Sequence, residues 1–357
     1  MIRPLVLFAA ATVALVASAA GNNPTAWRDV LDTPATRSTF APRALLNGLA
    51  PAGNSLVAVG QRGHVLYTAD KGSTWQQATV PVSSDLVAVH FPTPTTGWTV
   101  GHDGVVLRST DSGATWTRQL DGNGVGAAMT AYYARNAAPA GADAKRVEAA
   151  TAEAKRFAEQ GNDIPLLDVW FENEKTGFVV GAFGLILHTR DGGTSWEPWM
   201  HAVDNPKGLH LYSVRAVGAD VYLTGEQGLV LKLDRAAGQF RKLEVPYQGT
   251  LFGVTGNSRV VVAFGLRGTV VRSTDGGRSW QLVPASVTVG LTAGTVDATG
   301  RIVLVSQSGH VLLSSDDGAS FKPARLERPQ PAAAVAALGD NTVVVAGPRG
   351  VHTQTLQ

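Results

Sequence analysis

The stretch Gly101-His-Asp-Gly104-Val-Val-Leu-Arg-Ser109-Thr-Asp111-Ser-Gly113-Ala-Thr115-Trp116 decides the fold, because the chain writes it again and again. Gly101 to Gly104 is a short hairpin connection, Val105 to Ser109 alternates as a strand, and Asp111 to Trp116 is a second turn running into another strand. The same phrase starts at Gly60, Gly181 and Gly265 with equal clarity, ending at Trp75, Trp196 and Trp280. It is worn at Gly225 (Asp234, Gly238, Phe240) and at Ser306 (Asp316, Gly318, Phe321), and stops at Gly347-Pro-Arg-Gly350. Successive starts are 41, 80, 44, 40, 41 and 41 residues apart.

Each unit adds an extended segment before the phrase, such as Leu86 to Phe91 or Leu167 to Phe171. Four antiparallel strands every ~40 residues are the blades of a β-propeller, and seven phrases predict an all-β, seven-bladed ring. The 80-residue interval hides no lost blade. Phe91 precedes Gly101 by the same ten residues that separate Phe171 from Gly181, so about 40 residues are inserted between blades two and three. The seventh unit lacks an outer strand, and Thr25-Ala-Trp27-Arg-Asp-Val30 offers one. Residues 25–32, with Trp27 as the missing tryptophan, are expected to close the ring and remove its free edge.

Composition narrows the function classes. No cysteine occurs among 357 residues, which excludes thiolate zinc sites, iron–sulfur clusters and a cysteine nucleophile. The net charge of +2 gives no reason to expect nucleic acid. No metal-ligand spacing joins the eight histidines, no catalytic motif is present, and neither a cofactor nor a catalytic residue is expected. Arg3, the apolar run from Pro4 to Val16 and Ala17-Ser18-Ala19 together predict a cleaved secretory signal over residues 1–20. The remaining 21–357 would be one exported propeller, soluble in a periplasm-like compartment and without a cysteine-linked lipid anchor.

The turn Ser/Thr-x-Asp-x-Gly-x-Ser/Thr-Trp resembles the Asp-box of sialidase-like and related propellers. Asp70, Asp111, Asp191, Asp275 and Asp316 are expected to hold turns between third and fourth strands, with Trp75, Trp116, Trp196 and Trp280 packed in the core. Acids on different blades of a ring do not converge on one substrate. In an up-and-down blade these turns share one face, and the Gly-x-x-Gly turns share the other with the inter-blade links and the insertion. The third position of the Gly-x-x-Gly turn varies: Arg62, Asp103, Phe183, Gln227, Arg267, Ser308, Arg349. Blades five, seven and one thus place Arg62, Arg267 and Arg349 in one sector, a candidate arc for carboxylates or other anions. Asp103 and Phe183 complete the candidate partner-binding set. Within the insertion, 121–163, residues 121–142 read as irregular and Gly/Ala-rich. Residues 143–160 read as a helix with Val147, Ala150, Ala154 and Phe157 on one face and Gly161 as its stop. That helix packs on its own propeller, with Phe183 as a seat, or serves as a docking arm.

Phe91-Pro-Thr-Pro-Thr-Thr-Gly97-Trp98-Thr-Val-Gly101 recurs as Phe171-Glu-Asn-Glu-Lys-Thr-Gly177-Phe178-Val-Val-Gly181, each continuing to its tryptophan. This is similar to the photosystem II stability/assembly factor family of exported seven-bladed propellers. The resemblance implies a non-enzymatic assembly helper, and the protein is expected to be a monomer. Its partner would be a membrane protein or assembly intermediate, such as a photosystem subunit or a transporter/exporter, bound through an arginine-rich patch in a periplasm or a thylakoid lumen. The helical insertion is extra to that pattern. The competing expectations are a sialidase-like hydrolase, which needs three arginines beside a Tyr–Glu pair, and a carbohydrate-binding envelope propeller.

Overall fold

The computed structural model describes residues 28–136, 143–326, 328–339 and 341–356. They form seven antiparallel sheets, one per repeat, in which the strands follow one another in chain order. Blade two shows the pattern: Leu86–His90, Gly97–Gly101, Val106–Ser109 and Thr117–Leu120. Six blades have four strands. Seven apolar layers between neighbouring sheets make up the core, as expected when each blade buries both faces.

The Gly-x-x-Gly turns are tight because glycine lets two backbones touch. At Gly60, Gly101 and Gly265 an added Cβ would lie 2.1–2.2 Å from the carbonyl oxygen of the residue before the first strand. At Gly268, with φ +72°, it would meet the Val287 carbonyl oxygen at 1.9 Å.

Two expectations need correction. Trp27 lies outside the described residues, but Val30–Asp32 form a 3₁₀ turn and no closing strand. Asp29 caps that turn by accepting the Leu31 N–H, and Leu31 is buried in the layer between blades one and two. The Val30 carbonyl accepts from Ser83 N–H, and Ala35 N–H donates to the Val80 carbonyl. The segment therefore lies along blade one, where Leu31 finds burial that an exposed outer strand does not provide. Among the described residues the seventh sheet has three strands, Ala334–Gly339, Thr342–Gly347 and Gly350–Thr355. Blades seven and one meet through side chains, with Ala41, Leu46, Ala58, Leu66, Ala334, Ala336, Val344 and Ala346 in one layer.

The second correction concerns residues 121–142. They include a helix, α1 (Gly122–Arg135), capped by Asp121. The expected second helix is α2 (Ala144–Gln160), capped by Asp143 and ended by Gly161 at φ +79°. Three glycines in α1 each cost roughly 1 kcal/mol of helix propensity relative to alanine, but tertiary packing decides. An added Cβ at Gly126 would meet the Ala158 Cα at 2.4 Å, so glycine lets the helices approach closely. Val125, Met129 and Tyr133 of α1 and Val147, Ala150, Ala154 and Phe157 of α2 join Trp98, Val106, Leu166 and Leu187 in one buried cluster. The insertion is a helical hairpin seated on its own propeller.

Candidate functional site

The Asp-box carboxylates are fully engaged by their own turns. Asp111 Oδ1 accepts from Ser109 Oγ at 2.8 Å and from Thr115 N–H at 2.9 Å, while Oδ2 accepts from Thr115 Oγ1 at 2.6 Å. Asp70, Asp191, Asp275 and Asp316 repeat this pattern, and Asp316 does so beside Phe321 instead of a tryptophan. The indole N–H groups of Trp75, Trp116 and Trp280 donate to the carbonyls of Gly72, Gly113 and Gly277. Trp196 differs, because its buried Nε1 has no partner among the described residues. Hydrogen bonds from Thr68 and Thr74 hold the Asp70 carboxyl at about 2, and those from Ser320 and Ser314 do the same for Asp316. These acids sit on separate blades and do not surround a common cavity.

The opposite face is built on strain. Arg62 (φ 54°), Asp103 (φ 57°), Phe183 (φ 56°), Gln227 (φ 51°) and Arg267 (φ 58°) all hold the left-handed conformation at the third turn position. Glycine would adopt it more easily. Arg62, Arg267 and Arg349 are exposed. The backbone N–H of Arg62 donates to Asp85 Oδ1 at 2.7 Å, but its guanidinium has no partner among the described residues, nor has that of Arg267. Arg349 reaches Gln330 Oε1 at 3.3 Å. The three arginines share a face and lie on blades one, five and seven, with no contact between them. The arc has a further member. Exposed Arg43 follows Pro42, whose carbonyl oxygen an added Cβ at Gly350 would meet at 2.0 Å, so it stands beside the Arg349 turn. Its position in the link entering blade one was the available signal.

Asp103 and Phe183, in the turns of blades two and three, contact the insertion instead. The Asp103 carbonyl accepts from Gly122 N–H at 2.7 Å at the start of α1. The Arg156 guanidinium of α2 lies 4.7 Å from the Phe183 ring centroid, and His210 meets the same ring edge-on at 4.9 Å. Phe183 remains 41% exposed, so Arg156 covers only part of it. The tyrosines that a sialidase-like site would need are elsewhere. The buried Tyr133 hydroxyl lies 3.0 Å from His201 Nδ1, and Tyr132 packs edge-on against it.

The central channel contains a constellation that repeat reading overlooked. Its cavity, of about 830 Å³, is lined by first strands from all seven blades. Asp168, on blade three, is 3% exposed. Its Oδ2 accepts from Val214 N–H at 2.8 Å and from Arg215 Nη1 at 2.7 Å. The same Nη1 donates to the carbonyls of Val169 and Val214. His90, on blade two, accepts the Phe171 N–H on Nδ1 at 3.2 Å. Burial and the Arg215 charge push its imidazole down to about 3.

The family model described as photosynthesis system II assembly factor YCF48 matches residues 41–131 and 148–321. The chain belongs to that family. The gap between the two matched parts falls within the helical hairpin. Photosystem II assembly lipoprotein Ycf48 of Synechococcus sp. (strain CC9902) is 29% identical over 161 residues, 43% of this chain and 46% of that protein. Its counterpart in Prochlorococcus marinus is 29% identical over 165 residues, 44% and 48% of the two chains. The chain thus spans about half the length of the curated relatives it matches. Among solved structures, YCF48 bound to D1 peptide superposes with a TM-score of 0.63 at 14% identity, covering 88% of this chain and 94% of that one. YCF48 from Cyanidioschyzon merolae gives 0.57 at 16% identity, covering 90% and 98%. At such identities these likenesses speak for the fold, as does the WD40 propeller of Doa1, at 0.61 with 7% identity, covering 91% and 96%.

Proposed function

We propose that this protein is an exported, non-enzymatic scaffold that binds a membrane-protein client on its Gly-x-x-Gly face, as an assembly factor does. The observation that carries this reading is the contrast between its charged groups. Every Asp-box carboxylate is engaged within its own turn, whereas the Arg62 and Arg267 guanidiniums stand exposed without a partner among the described residues. Charges kept in solvent on strained turns are suited to recognition, because they are not needed to hold the ring. Family membership supports an assembly role, and a family member solved with a D1 peptide supports a protein client. Export rests on residues 1–20, and a periplasmic or thylakoid-lumen site follows from that reading. Arg62, Arg267, Arg349 and Arg43 would receive acidic side chains or a chain terminus in bidentate pairs.

Crosslinking and pull-down from native membranes test the proposal, comparing wild type with a triple variant, Arg62→Glu, Arg267→Glu and Arg349→Glu. The expected result is loss of the client with the melting temperature unchanged. An identical set of captured membrane proteins from both would refute the arc. Turnover of sialosides or other glycosides by the purified protein would refute the non-enzymatic reading.

A further inference from the structure

The channel wall carries a charge pair that the ring does not require. Aligning the seven first strands on their partners in the second strand gives equivalent columns. The column of Asp168 otherwise holds Gly48, Ala88, Ser213, Gly253, Ala293 and Ala334. The column of Arg215 otherwise holds Ala50, His90, Trp170, Thr255, Thr295 and Ala336. Six junctions of the ring therefore form without an ion pair at this level. A buried pair is rarely a gain in stability over apolar packing of similar size, so its presence at one junction asks for another explanation.

The hydrogen-bond pattern of Arg215 provides one. Asp168 and two carbonyls all bind Nη1, which fixes the guanidinium plane. Nε and Nη2 have no protein partner among the described residues, and neither is a buried orphan, so both are open to the channel that Arg215 lines. That pair forms the side-on edge whose parallel N–H groups match the two oxygens of a carboxylate. His90 lines the same cavity. Its Nδ1 is occupied as an acceptor, which leaves the proton on Nε2 as a neutral donor. Around the rest of the channel at this level the wall is small and uncharged, with Ala336 and Ala50 of blades seven and one facing Arg215 and Thr255 and Thr295 of blades five and six between them.

We propose that the central channel is a binding site for a monocarboxylate with a short apolar body, its head held by the Nε–Nη2 edge of Arg215. The charge balance selects the head group. Asp168 already offsets the Arg215 charge, so the cluster suits one negative charge better than the two of a phosphate monoester. The apolar body lies against the alanine and glycine wall, where it gives up water contact. A free small acid and the C-terminus of a peptide share this chemistry. The site is separate from the arginine arc, so it can fail while the client-binding proposal stands.

Calorimetric titration at constant ionic strength is the test, using hexanoate, methyl hexanoate, hexyl phosphate and the peptide acetyl-Ala-Leu with its C-terminal amide. Hexanoate or the free peptide acid is expected to bind with one-to-one stoichiometry, and the stronger of the two identifies the source. The ester and the amide, which lack the charge, are expected not to bind. Arg215→Lys keeps a cation beside Asp168 but removes the side-on edge, and should weaken binding by roughly tenfold or more, the loss of one charge-assisted hydrogen bond. Thr295→Phe narrows the channel from blade six, two blades away from Arg215, and should abolish binding with the melting temperature near that of wild type. It keeps the test decisive should Arg215→Lys fold poorly. Absence of binding by both acids at about ten-millimolar ligand, well above the millimolar dissociation constants of weak small-ligand sites, would overturn the proposal. So would equal affinity in Thr295→Phe and wild type, or tighter binding of hexyl phosphate than of hexanoate.

Discussion

The two faces of this propeller use the same local device for different ends. On the Asp-box face, Lys71 (φ 58°), Ser112 (φ 60°) and Asp317 (φ 52°) hold left-handed turns whose neighbouring acids are bonded inward. On the Gly-x-x-Gly face, Arg62, Asp103, Phe183, Gln227 and Arg267 hold equally strained turns, but the residue type changes from blade to blade. Repetition marks what the ring needs, and variation marks what the ring does not decide. The arginines are informative for this reason: the turn would accept glycine, and another requirement has placed a charge there.

The contrast should break first at a tryptophan. Trp116→Ala removes a 4% exposed indole from between two blades and should cost about 3–5 kcal/mol in urea unfolding. Next comes the glycine of the opposite turn. Gly268→Ala meets both a left-handed φ and the Val287 carbonyl, and should cost at least about 1–3 kcal/mol by the same measurement. Its neighbour Arg267→Gly should leave stability within about 1 kcal/mol of wild type, because relieved strain offsets greater freedom of the unfolded chain. That variant should nevertheless lose client capture, which separates the structural glycine from the functional arginine one position away.

Acid should distinguish regions in a fixed order. Burial pushes His188 and His201 down to about 4, so both stay neutral in the folded protein at a pH where the unfolded chain protonates them. For a base with a lowered folded value, the stabilisation is complete above about pH 6.5 and falls by about 1.4 kcal/mol per group and pH unit below it. His201 accepts or donates at the Tyr133 hydroxyl of α1, His188 stacks on Phe178 at 4.5 Å within blade three, and His90 of blade two is pushed lower still, so the insertion and blades two and three loosen first. The Asp-box acids follow. Asp70 and Asp316, at about 2 when folded against about 3.9 unfolded, contribute fully above about pH 4 and lose that contribution as pH falls to about 2. Hydrogen exchange at pH 7, 5 and 3 should show α1, α2 and the strands of blades two and three losing protection before the strands of blades five to seven. Simultaneous loss in both regions would remove the distinction.

Reading from sequence succeeded where the chain repeats itself. Blade number, strand order and the Asp-box hydrogen bonds all follow from one phrase and its spacing, because a four-stranded unit can bury both faces only against copies of itself. It failed where the cause was long-range. The α1 helix exists because Gly126 fits against Ala158, a contact no local propensity encodes. Leu31 was drawn to the layer between blades one and two, away from the seventh sheet. The channel pair could have been found by aligning the units and asking which column gains a charge, since Asp168 and Arg215 interrupt otherwise neutral columns.

Gly122 and Asn162 lie so close that an added Cβ on the glycine would meet the Asn162 Cα at 2.6 Å. The helical hairpin therefore leaves and rejoins the barrel of blades through a single doorway. A graft of that kind can be exchanged through a two-residue splice for another hairpin with the same apolar face, and the wheel beneath need not be re-registered to accept it.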